Sequence, residues 1–372
     1  MSLSVLGRRR VAIPAVLTVL VAGVSLAWVA TADAGPNGSG FGYVWADSPT
    51  SALGQPYVPS QGYQRNSSGV VNTITRTGTG AYSVFFPNLG AFGTPAVTAY
   101  AGTDERCKVA SWRSTFSAGR SGTAVAVRCF TRTGTPVNTT FSATYAQAAA
   151  GTTTSGAYLW SNRASPWLNS PYTPDARYRF SSAGSGSTVT RTAIGAYEVK
   201  FPSPQQLGFG VVVTATGVSG ADPSIYCTTN EIFSGGTQTR VLLGCTNAAG
   251  AAADSAFAMS IIASGNTMFA SGVAADYAMD VCYGDLPDDP SISRTCQGTP
   301  ADWLDNGLFL VHLPIDMSGG NVQITQVHAD ALNPSWGRCK VGNWSGDTVL
   351  VRCYDIWGAP AGFSHFRVAF VS

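Results

Sequence analysis

The chain has little charge and few lysines or histidines. Only 11% of its 372 residues are charged, and lysine occurs at Lys108, Lys200 and Lys340 alone. That excludes the basic stripes by which proteins hold nucleic acid. Histidine is confined to His312, His328 and His365, so no histidine site repeats along the chain. A helical apolar period is absent throughout, which excludes a helix bundle. There is no Cys-x-x-Cys or neighbouring histidine pair, so the eight cysteines do not read as zinc ligands. No Gly-x-Ser-x-Gly elbow occurs, and Gly342-Asn343-Trp344-Ser345-Gly346 has the wrong spacing for one.

The N-terminus is the one place with a long apolar run. Arg8-Arg9-Arg10 precedes Val11 to Ala30, and Ala32-Asp33-Ala34 fits the small-residue cleavage rule, so residues 1–34 read as a cleaved signal peptide. A membrane anchor is the competing reading of that stretch, and the arginines leave twin-arginine export open. Cleavage would remove three arginines and one aspartate and bring the formal net charge from +2 to zero. The mature chain then has no membrane span, and a secreted or extracellular location is expected.

Beyond the signal, the chain repeats itself. Gly80-Ala81-Tyr82-Ser83-Val84-Phe85-Phe86-Pro87 recurs as Gly195-Ala196-Tyr197-Glu198-Val199-Lys200-Phe201-Pro202, and more distantly as Gly307-Leu308-Phe309-Leu310-Val311-His312-Leu313-Pro314. Tyr82, Val84 and Phe86 alternate with period two, the mark of a strand with one buried face. Modules of about 110 residues exceed the ~45 of a propeller blade and fit a jelly-roll or Ig-like sandwich. The sequence thus predicts an all-β fold of three tandem β-sandwich modules, at 35–147, 148–264 and 265–372.

The cysteines recur with the modules. Cys107 with Cys129, Cys227 with Cys245, and Cys339 with Cys353 hold equivalent places, and Cys282 with Cys296 is an added pair in the third module. In an exported chain these read as four disulfides. If each repeated pair faces across an antiparallel hairpin, Val109 faces Val127, Thr229 faces Leu243 and Val341 faces Val351. The cysteine face is then small and apolar. By the same alternation the opposite face carries Arg106, Lys108, Trp112 and Arg128 in the first module and Arg338, Lys340, Trp344 and Arg352 in the third. Like charges opposed across a ladder are unfavourable unless an anion lies between them, and an indole beside them can stack on a sugar. Two copies of a surface for an anionic glycan are the sharper expectation. The plainer one is that the arginines stack on aromatics and a neighbouring strand or module covers the tryptophans. The second module has Tyr226, Thr228, Ile232, Gly244 and Thr246 there.

Two further candidates fall in the third module. Asp285, Asp288 and Asp289 lie in the loop closed by Cys282 and Cys296, where calcium is a possible ligand and a solvated acidic loop the default. His312 aligns with Phe85 and Lys200 at a surface position, and His365 aligns with Phe141 and Phe257 unless the register slips to Phe366. No other cofactor is implied.

The runs Gly-x-Tyr-x-Val-x-Phe-Pro (80–87), Cys-Lys-Val-x-x-Trp (107–112 and 339–344) and Val-x-Val-Arg-Cys-Phe or Tyr (125–130 and 349–354) resemble the tandem β modules of uncharacterised exported bacterial proteins. The resemblance implies secretion and a β-rich fold and brings no activity. The expected function is a non-enzymatic secreted or cell-surface binder of a glycan or wall polymer. A hydrolase confined to the third module and a purely structural, self-assembling protein are the alternatives. Non-reducing peptide mapping should recover the four local cystines, each closing a loop worth about 3 kcal/mol if unstrained. A link between modules would overturn the three-unit reading.

Overall fold

Alternating apolar residues between glycine turns form strands throughout the computed structural model, which describes residues 39–148, 156–184, 186–202, 210–217, 223–235, 237–262, 277–281, 301–313, 315–327, 337–361 and 365–371. The signal segment, the acidic loop with Asp285, Asp288 and Asp289, Cys282, Cys296 and His328 lie outside the described residues. The first module comprises β1 (Gly40–Ala46), β2 (Pro56–Tyr57), β3 (Gln64–Asn66), β4 (Thr73–Gly78), β5 (Ala81–Pro87), β6 (Thr94–Ala99), β7 (Arg106–Ser117), β8 (Arg120–Phe130) and β9 (Phe141–Gln147). The second comprises β10 (Gly156–Ser161), β11 (Arg179–Ser181), β12 (Thr188–Ala193), β13 (Ala196–Pro202), β14 (Gly210–Thr216), β15 (Tyr226–Gly235), β16 (Gln238–Thr246) and β17 (Ala256–Ile262). The third comprises β18 (Tyr277–Val281), β19 (Ala301–Asp305), β20 (Leu308–His312), β21 (Asn321–Val327), β22 (Arg338–Ser345), β23 (Thr348–Tyr354) and β24 (His365–Val371).

Each module is a two-sheet sandwich. In the first, β3-β1-β9-β6 faces β7-β8-β5-β4-β2, and the other two repeat this order with fewer edge strands. Tyr82, Val84 and Phe86 are buried together with Phe141 and Tyr145 from the opposite sheet. Tyr197, Val199, Phe201 and Phe257 form the second core, and Phe309, Val311 and Phe366 the third. The third aromatic of the series is therefore Phe366, and the alignment of His365 with Phe141 gives way to the one-residue slip. The reason is register: Ala99 pairs with Phe141, Ala215 with Phe257, and Gln326 with Phe366.

The glycine that heads each anchor motif has a steric cause. Gly80, Gly195 and Gly307 turn at φ of +61°, +66° and +70°, and a Cβ there would lie 2.4–2.5 Å from the carbonyl oxygen of Cys129, Cys245 or Cys353. That carbonyl belongs to the strand cross-linked by the disulfide, so the turn and the cystine hairpin lock together. The cystines Cys107–Cys129, Cys227–Cys245 and Cys339–Cys353 are formed as the spacing predicts. They fit an oxidising, non-cytoplasmic setting.

The modules are not beads on a string; they form one compact unit. Strand β14 of the second module pairs in parallel with β7 of the first at Thr216 and Val109, which makes one nine-stranded sheet from two modules. Strand β21 of the third pairs with β15 of the second at Val327 and Thr229. Tyr100, just past β6, bridges Val341 of β22, so the third module returns to the first. Three equivalent junctions close the modules into a ring. At its centre β6, β14 and β21 are tied by side chains: Ile324 N donates to Thr98 Oγ1 and Val213 N to Thr325 Oγ1, both at 3.2 Å.

Gly195→Ala should cost more than about 1 kcal/mol, because both the positive φ and the nearby carbonyl oppose a Cβ. Gly119→Ala, at φ +75° with nothing within 4 Å, meets the first penalty alone. Urea unfolding of the two variants should rank them in that order.

Candidate functional site

The predicted pairings Val109–Val127, Thr229–Leu243 and Val341–Val351 are all present, but the register shifts immediately beyond them. Ala110, Asn230 and Gly342 are each the extra residue of a β-bulge. One added residue moves every later side chain to the other face of the strand. Trp112 and Trp344 consequently join the cysteine face and the cores, at 8% and 4% exposure, instead of standing beside the basic residues. The expectation of an open tryptophan-bearing surface is corrected on this geometry.

Each tryptophan also reaches into the next module. Trp112 packs edge-on to Trp160 at 4.8 Å and Tyr178 at 5.7 Å, both in the second module. Trp344 meets Tyr100, Tyr63 and Trp45 of the first at 5.3, 5.6 and 5.9 Å, and its indole N–H donates to Gly319 O. Ile232 holds the equivalent place in the second module. In backbone register, Asp280 of β18 pairs with Arg367 as Trp45 pairs with Ser142 and Trp160 with Ala258.

The basic residues lie before the bulge and keep their predicted face, which the ring turns inward. Arg106, Lys108, Arg338 and Lys340 are buried and line one central chamber of about 70 Å³, with Glu105, Tyr226 and Thr228. The two expected surfaces are thus a single site. Lys340 Nζ donates to Thr103 O at 2.6 Å and to Glu105 Oε2 at 3.3 Å. Arg338 donates to Asp104 O and to Asp104 Oδ2, the latter at 3.1 Å. Arg106 donates to Arg132 O and Ser224 Oγ, and its guanidinium lies 4.8 Å over the Tyr226 ring. Cations of the third module therefore reach the first, and Arg106 of the first reaches the second. Arg128 and Arg352 face Lys108 and Lys340 across the ladder as predicted, and both are half-buried.

Burial pushes Lys340 down from the ordinary lysine value of 10.5 to about 8, with Glu105 opposing the shift. Burial also pushes the Glu105 carboxyl up, but the Thr103 hydroxyl and Lys340 outweigh it and hold it below its ordinary value. Both values fall, with opposite consequences for charge: burial of Lys340, 2% exposed, disfavours its ammonium, while the donors around Glu105 favour its carboxylate.

Of the third module's other candidates, Asp285, Asp288, Asp289 and His328 lie outside the described residues. His312 stands at the edge of β20, 3.4 Å from Asp302 and 3.9 Å from Asp347, all three substantially exposed. Among the described residues, no three His, Cys, Asp or Glu side chains are grouped to hold a metal. What sequence reading missed is Glu105, Asp104 and Tyr100, because their roles arise only when the third module closes on the first. No known protein family, curated protein or solved structure matches the chain.

Two outcomes follow from this geometry. Trp344→Ala should destabilise by about 3–5 kcal/mol as a large buried aromatic, whereas Trp167→Ala, 88% exposed, should change stability by less than about 0.5 kcal/mol. Chemical unfolding distinguishes them. For Lys340, folded and unfolded chains both hold the proton below pH 8, and between 8 and 10.5 only the unfolded chain does. Stability should therefore rise with pH through that window. Half-buried Tyr172 and buried Tyr197, raised above 10.0 by desolvation, act in the opposite sense once unfolded phenols ionise. The rise should be seen between pH 8 and 10 as a melting midpoint that climbs relative to Lys340→Met.

Proposed function

We propose that this is an exported, non-enzymatic protein that binds a glycan or wall polymer through an anionic group recognised at the central chamber. The observation that carries the reading is the convergence of Arg106, Lys108, Arg338 and Lys340, from two modules, on one space lined by a single carboxylate, Glu105. A polyanion-binding surface would spread such residues over an exposed face. Here they are concentrated, which favours recognition of one group over a long track of charge. Three cystines support an extracytoplasmic setting, and no helix among the described residues is long and apolar enough to cross a membrane.

Among the described residues, the hydrolase reading has His312, Asp302 and Asp347, which stand exposed at the third module's edge. General acid–base chemistry gains from a shaped site that limits water and tunes the acid and base, and an exposed edge supplies little of either. The chamber is the better-founded site.

The test is retention of the mature chain on immobilised polymers. Sulfated, uronic-acid and phosphate-bearing polymers should retain it, neutral glucans and chitin should not, and added salt should release it. Because both lysines face one chamber, Lys108→Met and Lys340→Met should each weaken binding, and the double variant should add little. Independent effects of the two changes would restore two separate sites, and no retention on any anionic polymer would remove the reading.

A further inference from the structure

Resting on that reading of the chamber, we propose that its occupant is a single oxyanion group, a sulfate, phosphate or carboxylate, seated between Lys108 and Lys340 and facing Thr228, with whatever carries the group left outside.

The argument begins with the repeat. Cys107, Cys227 and Cys339 are equivalent, so Lys108, Thr228 and Lys340 hold one position in three modules, and Arg106, Tyr226 and Arg338 another. The ring brings all six to one centre. A strict threefold copy would crowd three lysines and three arginines around it. The second module removes one cation of each kind, and Thr228 is far shorter than the lysine it replaces. That asymmetry reduces repulsion and opens space on one side.

Size then selects the ligand. A space of about 70 Å³ is several times the ~10–15 Å³ that one water requires, and about half the ~150 Å³ cavity that admits a benzene ring. A pyranose does not enter, but a pendant or terminal oxyanion does.

Charge selects its sign. Four cationic side chains and one carboxylate line the space, a formal excess of three positive charges among the lining residues. Asp104, behind the wall, engages Arg338 and Arg132. Lys108 and Lys340 are 4% and 2% exposed, so bulk water screens them poorly. An oxyanion accepts from ammonium and hydroxyl donors together, and Thr228 presents a hydroxyl where the repeats on either side present lysine. Glu105 already occupies one side of Lys340 as an internal counter-ion. It limits how tightly a second anion is held.

The experiment titrates the intact mature protein with sodium sulfate, sodium phosphate and sodium acetate, against sodium chloride at matched ionic strength, and follows the melting midpoint and calorimetric heat. At least one oxyanion should raise the midpoint saturably at millimolar concentration, since it binds the native state alone. Glu105→Gln should tighten that binding by about tenfold, the change that 1.4 kcal/mol produces, and Lys340→Met should weaken it by a similar factor. A gain in affinity cannot arise from a damaged fold, so Glu105→Gln keeps the test decisive if Lys340→Met folds poorly. No saturable shift with any oxyanion, or equal shifts in all variants, overturns the proposal, because general salt stabilisation does not depend on Glu105. If small oxyanions bind and Glu105→Gln tightens them while no polymer is retained, the oxyanion site stands and the polymer reading falls. If a polymer is retained but neither free sulfate nor phosphate competes and Glu105→Gln has no effect, the oxyanion site falls and polymer binding belongs to another surface.

Discussion

An unpaired sheet edge exposes a row of backbone donors and acceptors, and each sandwich in this chain has two such edges beside the cystine hairpin. The molecule pairs them with one another. The edge of one module's first sheet meets the edge of the preceding module's second sheet, at Thr216 with Val109, Val327 with Thr229 and Tyr100 with Val341. These contacts are short, a single residue pair each, so they orient the modules more than they hold them. The adhesion comes from what the orientation brings together: Trp112 with Trp160, Trp344 with Trp45, and the threonine ties between the three inner strands.

Because the three modules belong to one chain, each junction can differ. In a symmetric trimer of identical modules every interface would have to carry the same residues. Here two junctions pair a hairpin tryptophan with a tryptophan of the next module, whereas at the junction of the second module with the third the hairpin residue is Ile232. Arg367 spans that junction instead, donating to Thr229 Oγ1 at 2.7 Å. The same freedom lets the second module place Thr228 and Tyr226 in a centre otherwise lined with cations.

Much of this fold could be read before any coordinates. The period-two anchor of Tyr82, Val84 and Phe86, the three repeated cystine pairs and the hairpin register as far as Val109 rest on local rules, and all hold in the structure. The place of Trp112 was not legible, because a bulge leaves no compositional mark when the inserted residue is Ala110, Asn230 or Gly342 in turn. A single unit of register reversed its face. The closing contacts were beyond local reading for another reason. Asp104 and Arg338 lie 234 residues apart, and nothing near either residue signals that the first and third modules touch. The face of Lys108 and Lys340 was correctly derived, yet its meaning changed once that face turned toward the centre.

That inward turn also explains why buried cations are tolerated at all. Four basic groups drawn from water into a shared interior would each cost several kcal/mol without compensation. The donors are therefore spent across junctions: Arg338 on Asp104, Lys340 on Glu105 and the Thr103 carbonyl, Arg106 on Ser224 and the Tyr226 ring. Each of these bonds crosses from one module to another, so this part of the compensation exists only while the ring is closed. Ring closure and the charge of the centre are in this way one property. An oxyanion held between Lys108 and Lys340 would bridge the first and third modules, the pair the chain does not join in sequence, and would stabilise the closed arrangement through residues that hydrophobic packing alone would not place there.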